Sequence, residues 1–315
     1  MNHRVGHIAV VGMGRSGSTY LDGALARELG GVAVGELPGM WTAWGMSGRF
    51  CSCGALAWEC PFWRTVVEHY PGLRDVQTAD FMRRMNERTL PIRYVLRWPL
   101  LANRARRGTG NEAAYVQEMK RLYAALAGAA ATHGYNVLVD SSKHPYWYHV
   151  ASRLGALTPF APRTAVRLVR HPRPVAYSLR RPRVETTADG QRDLQVPYNL
   201  ARAIPYWLAM NFGGDLVTRK GGAIRVRYED LGGQPVYLDQ LVSAGYVRVM
   251  PTAIERTGTW SHQVHGNPSR QGAAAHEFRR DTRWRDEPIT RWESLVWKAV
   301  SPLLRRYGYR AKPPK

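Results

Sequence analysis

The stretch "HIAVVGMGRSGST", residues 7–19, constrains the fold more than any other part of the chain. An apolar, β-branched run at 7–11 passes through a turn carrying Gly12, Gly14 and Gly17, and then into a helical pattern over about 18–29. A glycine-rich turn between strand and helix aims backbone N–H groups and the positive end of the helix dipole at one point, which suits a phosphate. Ser16, Ser18 and Thr19 add hydroxyls, and Arg15 adds a permanent charge with a planar donor fork. The loop departs from the nucleoside-triphosphate type, in which a lysine follows the last glycine. Here Ser18 takes that place, and the cation stands two residues before Gly17.

Four more apolar runs read as buried strands: 31–35, 136–140, 165–169 and 223–227. They are rich in Val and Ile and bounded mostly by Gly, Asp or His-Pro. Helical patterns over about 112–133, 145–155 and 199–220 separate most of them. Alternating strands and helices predict an α/β fold: a P-loop-type parallel β-sheet flanked by helices, in one domain over 1–315. Residues 37–135 interrupt the rhythm. They hold the Trp-rich "LPGMWTAWGMSGRF", three cysteines, and helical patterns near 62–70 and 79–107. We read them as a mainly helical insertion between strands two and three, lying over the carboxyl edge of the sheet as a lid. That edge is where open α/β sheets bind ligands.

Three further groups of residues face that edge. In "LVRHPRPVAYS", Arg170 ends the fourth strand and Ser178 follows eight residues later. The pair can grip a second phosphate from two sides, although a solvated Arg and an ordinary helix Ser fit the same spacing. In "VLVDSSKHPYW", Lys143 follows the third strand in a chain with 45 cationic residues, of which only six are lysines. A compact ammonium can approach a bridging oxygen where a guanidinium cannot. His144 beside it can act as a base or be a surface His before proline. Glu36 closes the second strand next to the phosphate loop, where a carboxylate can serve as a general base or simply cap a turn.

Composition narrows the classes. The net charge of +21 suits anionic partners: nucleic acid, an anionic membrane surface or a charged small molecule. The basic residues are scattered among helices rather than gathered in one tail, which disfavours a dedicated nucleic-acid or membrane partner. No apolar run approaches the length of a membrane span, and "MNHRVGHIAVVG" carries no signal-peptide h-region, so a soluble, cytoplasmic protein is expected. Cys51, Cys53 and Cys60 fall within ten residues. Their odd number argues against a disulfide framework, and a zinc site needs a fourth ligand, for which His69 is the nearest candidate. Three such cysteines more often pack a turn, so no metal is expected.

Taken together, these residues resemble the sulfotransferases that use 3′-phosphoadenosine 5′-phosphosulfate (PAPS). In that family a [K/R]-x-G-[ST]-T loop binds the 5′-phosphosulfate, and "RSGST" stands here. An Arg and a Ser eight apart bind the 3′-phosphate, matching Arg170 and Ser178. The segment "YEDL" begins at Tyr228, which the resemblance puts near the adenine. "HGNPSRQG" is similar to the late loop that closes over the nucleotide, with Arg270 and Gly272 as its candidates. The motifs run in order from residue 8 to about 285. The details resemble the branch of tyrosylprotein, carbohydrate-type and many bacterial sulfotransferases, in which the loop cation is Arg and a Glu on strand two is the base. That implies Glu36 as base, with Lys143 and Arg15 stabilising charge, no metal, and His144 as a weaker rival base. Ser18 stands where Thr is commoner, keeping the hydroxyl. "CSCG…CPFW" also resembles a bacterial sulfotransferase signature. The resemblance implies transfer of a sulfuryl group to a hydroxyl or amine of a small-molecule, lipid or sugar acceptor, natural-product scaffolds and glycolipids included. The acceptor's identity and the oligomeric state, a homo-oligomer included, stay open. Two other readings stand beside it: a P-loop small-molecule kinase using ATP–Mg, with Asp140 on the metal, and a basic nucleic-acid-binding protein.

Overall fold

The computed structural model describes residues 4–42, 45–91, 97–188, 190, 192–195, 197–233, 235–249, 260–266, 278–288 and 290–309. All five apolar runs are strands: β1 Gly6–Gly12, β2 Val32–Gly35, β3 Val137–Lys143, β4 Arg163–Val169 and, after an intervening hairpin, β7 Ile224–Arg227. They form one parallel sheet in the order β2-β3-β1-β4-β7. Every residue of β1 is buried, as expected of a central strand covered on both faces. Its side chains alternate. Ile8 and Val10 pack with Leu21 and Leu25 of α1 (Ser18–Glu28) and Leu238 and Leu241 of α9 (Val236–Ser243). Ala9 and Val11 face the other side, toward Tyr148 of α6 (Pro145–Arg153) and Val217 of α8 (Leu200–Thr218).

The chain leaves β1 into α1 on one face and leaves β3 into α6 on the opposite face. The connections therefore part between β1 and β3, and a crevice opens outside their carboxyl ends. The register of β3 slips against both neighbours near Asp140, since Ala9 pairs with Asp140 but Val11 with Lys143. Lys143 ends that irregularity with a left-handed backbone, φ 62°.

Between β2 and β3 the described residues make two short 3-10 turns, Leu37–Trp41 and Pro71–Arg74, and four helices: α2 Pro61–His69, α3 Val76–Thr89, α4 Trp98–Arg106 and α5 Gly110–Thr132. The pattern over 79–107 predicts one helix, and the structure divides it into α3 and α4. Prolines explain the break: Pro91 follows the end of α3, and Pro99 sits in the first turn of α4, where the missing N–H costs nothing. Tryptophans of the insertion join the core: Trp41 and Trp63 are at most 2% exposed, and Trp41 lies 6.2 Å from Trp147 of α6 between ring centres. Trp44 lies outside the described residues.

Beyond the sheet, α7 (Pro172–Leu179) leaves the end of β4, and a hairpin of β5 (Arg183–Thr186) and β6 (Arg192–Gln195) follows it. Near the C-terminus, α10 (Arg291–Ala299) and α11 (Ser301–Arg306) bring Trp297 and Leu304 against α7 and α8. Residues 260–265 run beside β2, with Ala33 N–H donating to Trp260 and His262 N–H donating to Ala33. No helix among the described residues is long and apolar enough to cross a membrane.

Candidate active site

Two glycines of the loop after β1 are fixed by close approach. A Cβ on Gly12 would come within 2.4 Å of the Leu168 carbonyl oxygen on β4. Gly17, at φ 88°, caps α1, and a Cβ there would meet the Tyr228 ring at 2.7 Å. Arg15 takes a left-handed backbone at φ 68°, a conformation that costs a residue with a Cβ energy and recurs at binding sites. Ser16 is 1% exposed, and its hydroxyl has no hydrogen-bond partner among the described residues. A buried hydroxyl without a partner is costly unless a ligand or water meets it.

Arg170 follows the last residue of β4 and is 5% exposed. Its Nη1 donates to the Arg15 carbonyl at 2.8 Å, and its guanidinium lies 3.7 Å from the centre of the Tyr228 ring. Its own carbonyl accepts from the Trp207 indole at 2.9 Å. Arg170 Nε and Nη2 have no partner among the described residues. Burial pulls its pKa down from the ordinary arginine value, yet a guanidinium stays charged in proteins. The site therefore holds a desolvated cation whose Nε and Nη2, carrying three of its five N–H donors, meet no partner among the described residues. Ser178 lies buried on α7, the helix that leaves the same strand end. Tyr228 packs at once under Arg170 and against Gly17, and its hydroxyl accepts from the amide of Asp281 at 3.0 Å. Arg270 and Gly272 lie outside the described residues.

On the other side of β1, Lys143 Nζ and Glu36 Oε1 form an ion pair with their atoms in hydrogen-bond contact. The Lys143 side chain is 10% exposed and that of Glu36 is 34% exposed, so the carboxylate is the more open of the two. A buried network holds their backbones. Asp140 accepts from the Tyr123 hydroxyl and from both the amide and hydroxyl of Ser142, whose oxygen accepts from the Leu37 amide at 3.2 Å. Asp22, fully buried on α1, also feels Lys143. Burial raises its pKa well above the carboxylate range, opposed in part by Ser141 and Lys143. None of this support was legible in sequence. Tyr123 and Asp22 sit on helices, and only the packed sheet brings them behind the lysine.

His144 and His171 turn out to be the same device used twice. Each follows a cation at a strand end, Lys143 or Arg170, and each precedes a proline in the first turn of a helix. Each ring turns back so that Nδ1 accepts the helix N–H two residues on, at 3.2 Å. His144 is half-buried, its ring packed against Trp98 with centres 5.3 Å apart. Burial lowers both pKa values from 6.5 to about 4. A group whose folded pKa is depressed below its unfolded value binds protons more readily when unfolded. Stability should therefore be full above about pH 6.5 and fall as pH drops toward 4. Urea midpoints measured across that window should decline, and His171→Asn, which keeps a cap acceptor, should flatten the decline. An unchanged slope in that variant would contradict this assignment.

No family model matches the chain, and no curated protein matches it. Among solved structures the chain is similar to the sulfotransferase domain from the curacin biosynthetic pathway, at 16% identity and a TM-score of 0.45 over 98% of this chain and 99% of that one. It is also similar to the sulfotransferase domain from the Synechococcus PCC 7002 olefin synthase, at 16% identity and a TM-score of 0.41 over 100% of this chain and 98% of that one. The residues of the crevice themselves carry the functional argument.

Proposed function

We propose that this protein is a PAPS-dependent sulfotransferase, acting on a hydroxyl or amine of a small-molecule acceptor. The observation that carries this is the buried Arg170 guanidinium, whose Nε and Nη2 lack partners among the described residues, beside a glycine-rich loop whose Ser16 hydroxyl likewise lacks one among them. Two anion-seeking groups at separate strand ends suit a nucleotide with two separate phosphates. Arg15, Ser16, Gly17, Ser18 and Thr19 would hold the 5′-phosphosulfate, and Arg170 and Ser178 the 3′-phosphate. Tyr228 keeps the Arg170 plane in place. Asp140 weighs against the kinase alternative, because both of its carboxylate oxygens are engaged by Tyr123 and Ser142 rather than turned to a magnesium ion.

In the reaction, the acceptor oxygen or nitrogen attacks sulfur in line and forms the new bond to it. The bond from sulfur to the bridging phosphate oxygen breaks, and its electrons leave on that oxygen. Glu36 takes the acceptor proton. Lys143 moves from Glu36 toward the leaving oxygen, so one ion pair is exchanged for another as charge shifts. Positioning and charge stabilisation supply the acceleration.

The test is a nucleotide preference. 3′,5′-ADP should bind far better than 5′-AMP, and Arg170→Ala should erase most of that preference, by roughly 1.5–3 kcal/mol for a charge-assisted contact. Calorimetry giving equal affinities in the wild type would sink the 3′-phosphate assignment. Turnover should also be unchanged when magnesium is omitted and then restored. A complete, magnesium-reversible loss would favour the kinase.

A further inference from the structure

The three cysteines meet a histidine from a distant part of the chain. Sγ of Cys51, Cys53 and Cys60 and a ring nitrogen of His262 lie within 4.8 Å of one another. Cys60 Sγ stands 3.1 Å and Cys51 Sγ 3.7 Å from His262 Nδ1. Ligand atoms around a tetrahedral zinc, with bonds of about 2.0–2.3 Å, are separated by roughly 3.3–3.8 Å. Cys51, Cys60 and His262 are buried and Cys53 half-buried. His69, the nearest histidine in sequence, packs instead against Gly128 of α5. The fourth member comes from 202 residues beyond Cys60, which no local spacing reveals.

The surroundings are those of a metal ligand rather than of a packing residue. His262 turns Nδ1 to the sulfurs while Nε2 lies 3.3 Å from the Tyr135 hydroxyl, a partner that fixes the ring nitrogen left for a metal. Phe62 stacks on the imidazole with centres 5.1 Å apart and planes 10° apart. The Trp63 indole donates to the His262 carbonyl at 2.8 Å. The turn carrying the first two cysteines is itself closed, with Cys51 N–H donating to Ala55 and Gly54 N–H to Cys51.

We propose that Cys51, Cys53, Cys60 and His262 form a closed, structural zinc site that fastens the start of the insertion to the strand-like segment 260–265 at the sheet edge. Three soft thiolates and one imidazole in a tetrahedral set select zinc over hard cations. Four protein ligands leave no open position for catalysis. Binding releases the thiol protons to solvent and consumes no oxidant. The clasp reaches the crevice through the backbone: three residues past His262, the His265 carbonyl accepts the Glu36 amide at 3.3 Å. The zinc site itself does not depend on the sulfotransferase reading.

Full-length protein made with added zinc and dialysed into metal-free buffer should hold about one zinc per chain by mass spectrometry. Replacement with Co(II) should produce the visible bands of a tetrahedral ion and a thiolate charge-transfer band in the near ultraviolet. Cys60→Ser should lose the metal, whereas His262→Cys, which restores a fourth soft ligand, should keep it with shifted cobalt bands. Because Cys60→Ser can fail to fold, the wild-type cobalt spectrum decides independently. The proposal is overturned by zinc well below stoichiometry together with a featureless cobalt spectrum, or by full zinc retention in Cys60→Ser. It is equally overturned if unfolded, unreduced protein titrates fewer than its three free thiols, since that would mean a disulfide. None of these readouts requires nucleotide binding or turnover.

Discussion

Glu36→Gln should lose turnover by about 10²–10⁴-fold, the usual cost of removing a general base, while affinity for 3′,5′-ADP stays nearly intact. That loss corresponds to about 3–5 kcal/mol in the barrier. Glutamine keeps the shape and an oxygen for Lys143, so what disappears is the capacity to accept the acceptor's proton. Glu36 follows β2, which β3 separates from β1 and its glycine loop rather than lying beside them as the sequence suggests. It is suited to the task because its amide is tied to His265 and its side chain meets Lys143 at the end of β3. His144→Asn provides the contrast. Its Nδ1 serves the helix it caps, its ring packs on Trp98, and burial already holds it neutral with a pKa of about 4. Asparagine is itself a good cap, so this variant should stay within about tenfold of wild type, through local positioning. The measurement is acceptor-dependent turnover of labelled PAPS, once screening has supplied an acceptor. A dead His144→Asn enzyme beside a normal Glu36→Gln enzyme would reverse the two roles.

Asp215→Ala should destabilise the fold by about 3–5 kcal/mol, the typical cost of breaking a buried ion pair from one side. Arg167 on β4 is 2% exposed and points into the layer between the sheet and α8. Its donors reach the carbonyls of Val11, Leu168 and Asn211, and its Nε lies 3.3 Å from Asp215 Oδ1. Burial chiefly lowers its pKa, with a smaller push from the Arg225 charge, and Asp215 is the chief group opposing that. Removing Asp215 leaves a desolvated guanidinium without a counter-charge and takes the acceptor from the Tyr307 hydroxyl, now at 2.7 Å. Because Arg167 holds the carbonyl of Val11, just before the phosphate loop, weakened 3′,5′-ADP binding should accompany the lost stability. Urea denaturation checks the first effect and calorimetry the second. The double variant Arg167→Met/Asp215→Ala should recover much of the stability, since it removes the stranded charge. A single variant within about 1 kcal/mol of wild type, at the level of an exposed pair, would show that the pair is not carrying this burden.

The primary structure by itself determined the five strands, the glycine loop and the cations at the strand ends. Those signals are local: a buried strand needs a continuous apolar run, and a turn against β4 and Tyr228 needs Gly12 and Gly17. It also marked Glu36 and Lys143 separately, at the ends of different strands. Only the tertiary structure decided that they meet, because parallel pairing puts β2 next to β3 across an insertion of about a hundred residues. The same holds for the surroundings of Asp140, whose oxygens accept from Tyr123 and Ser142 only once the sheet and α5 are packed. The tryptophans of the insertion carry no label saying core or pocket, since an aromatic ring suits both, and packing assigned Trp41 and Trp63 to the core. His262 is the extreme case. Its imidazole meets the three sulfurs only after the 260–265 segment lies along β2, a juxtaposition that no spacing in the chain announces.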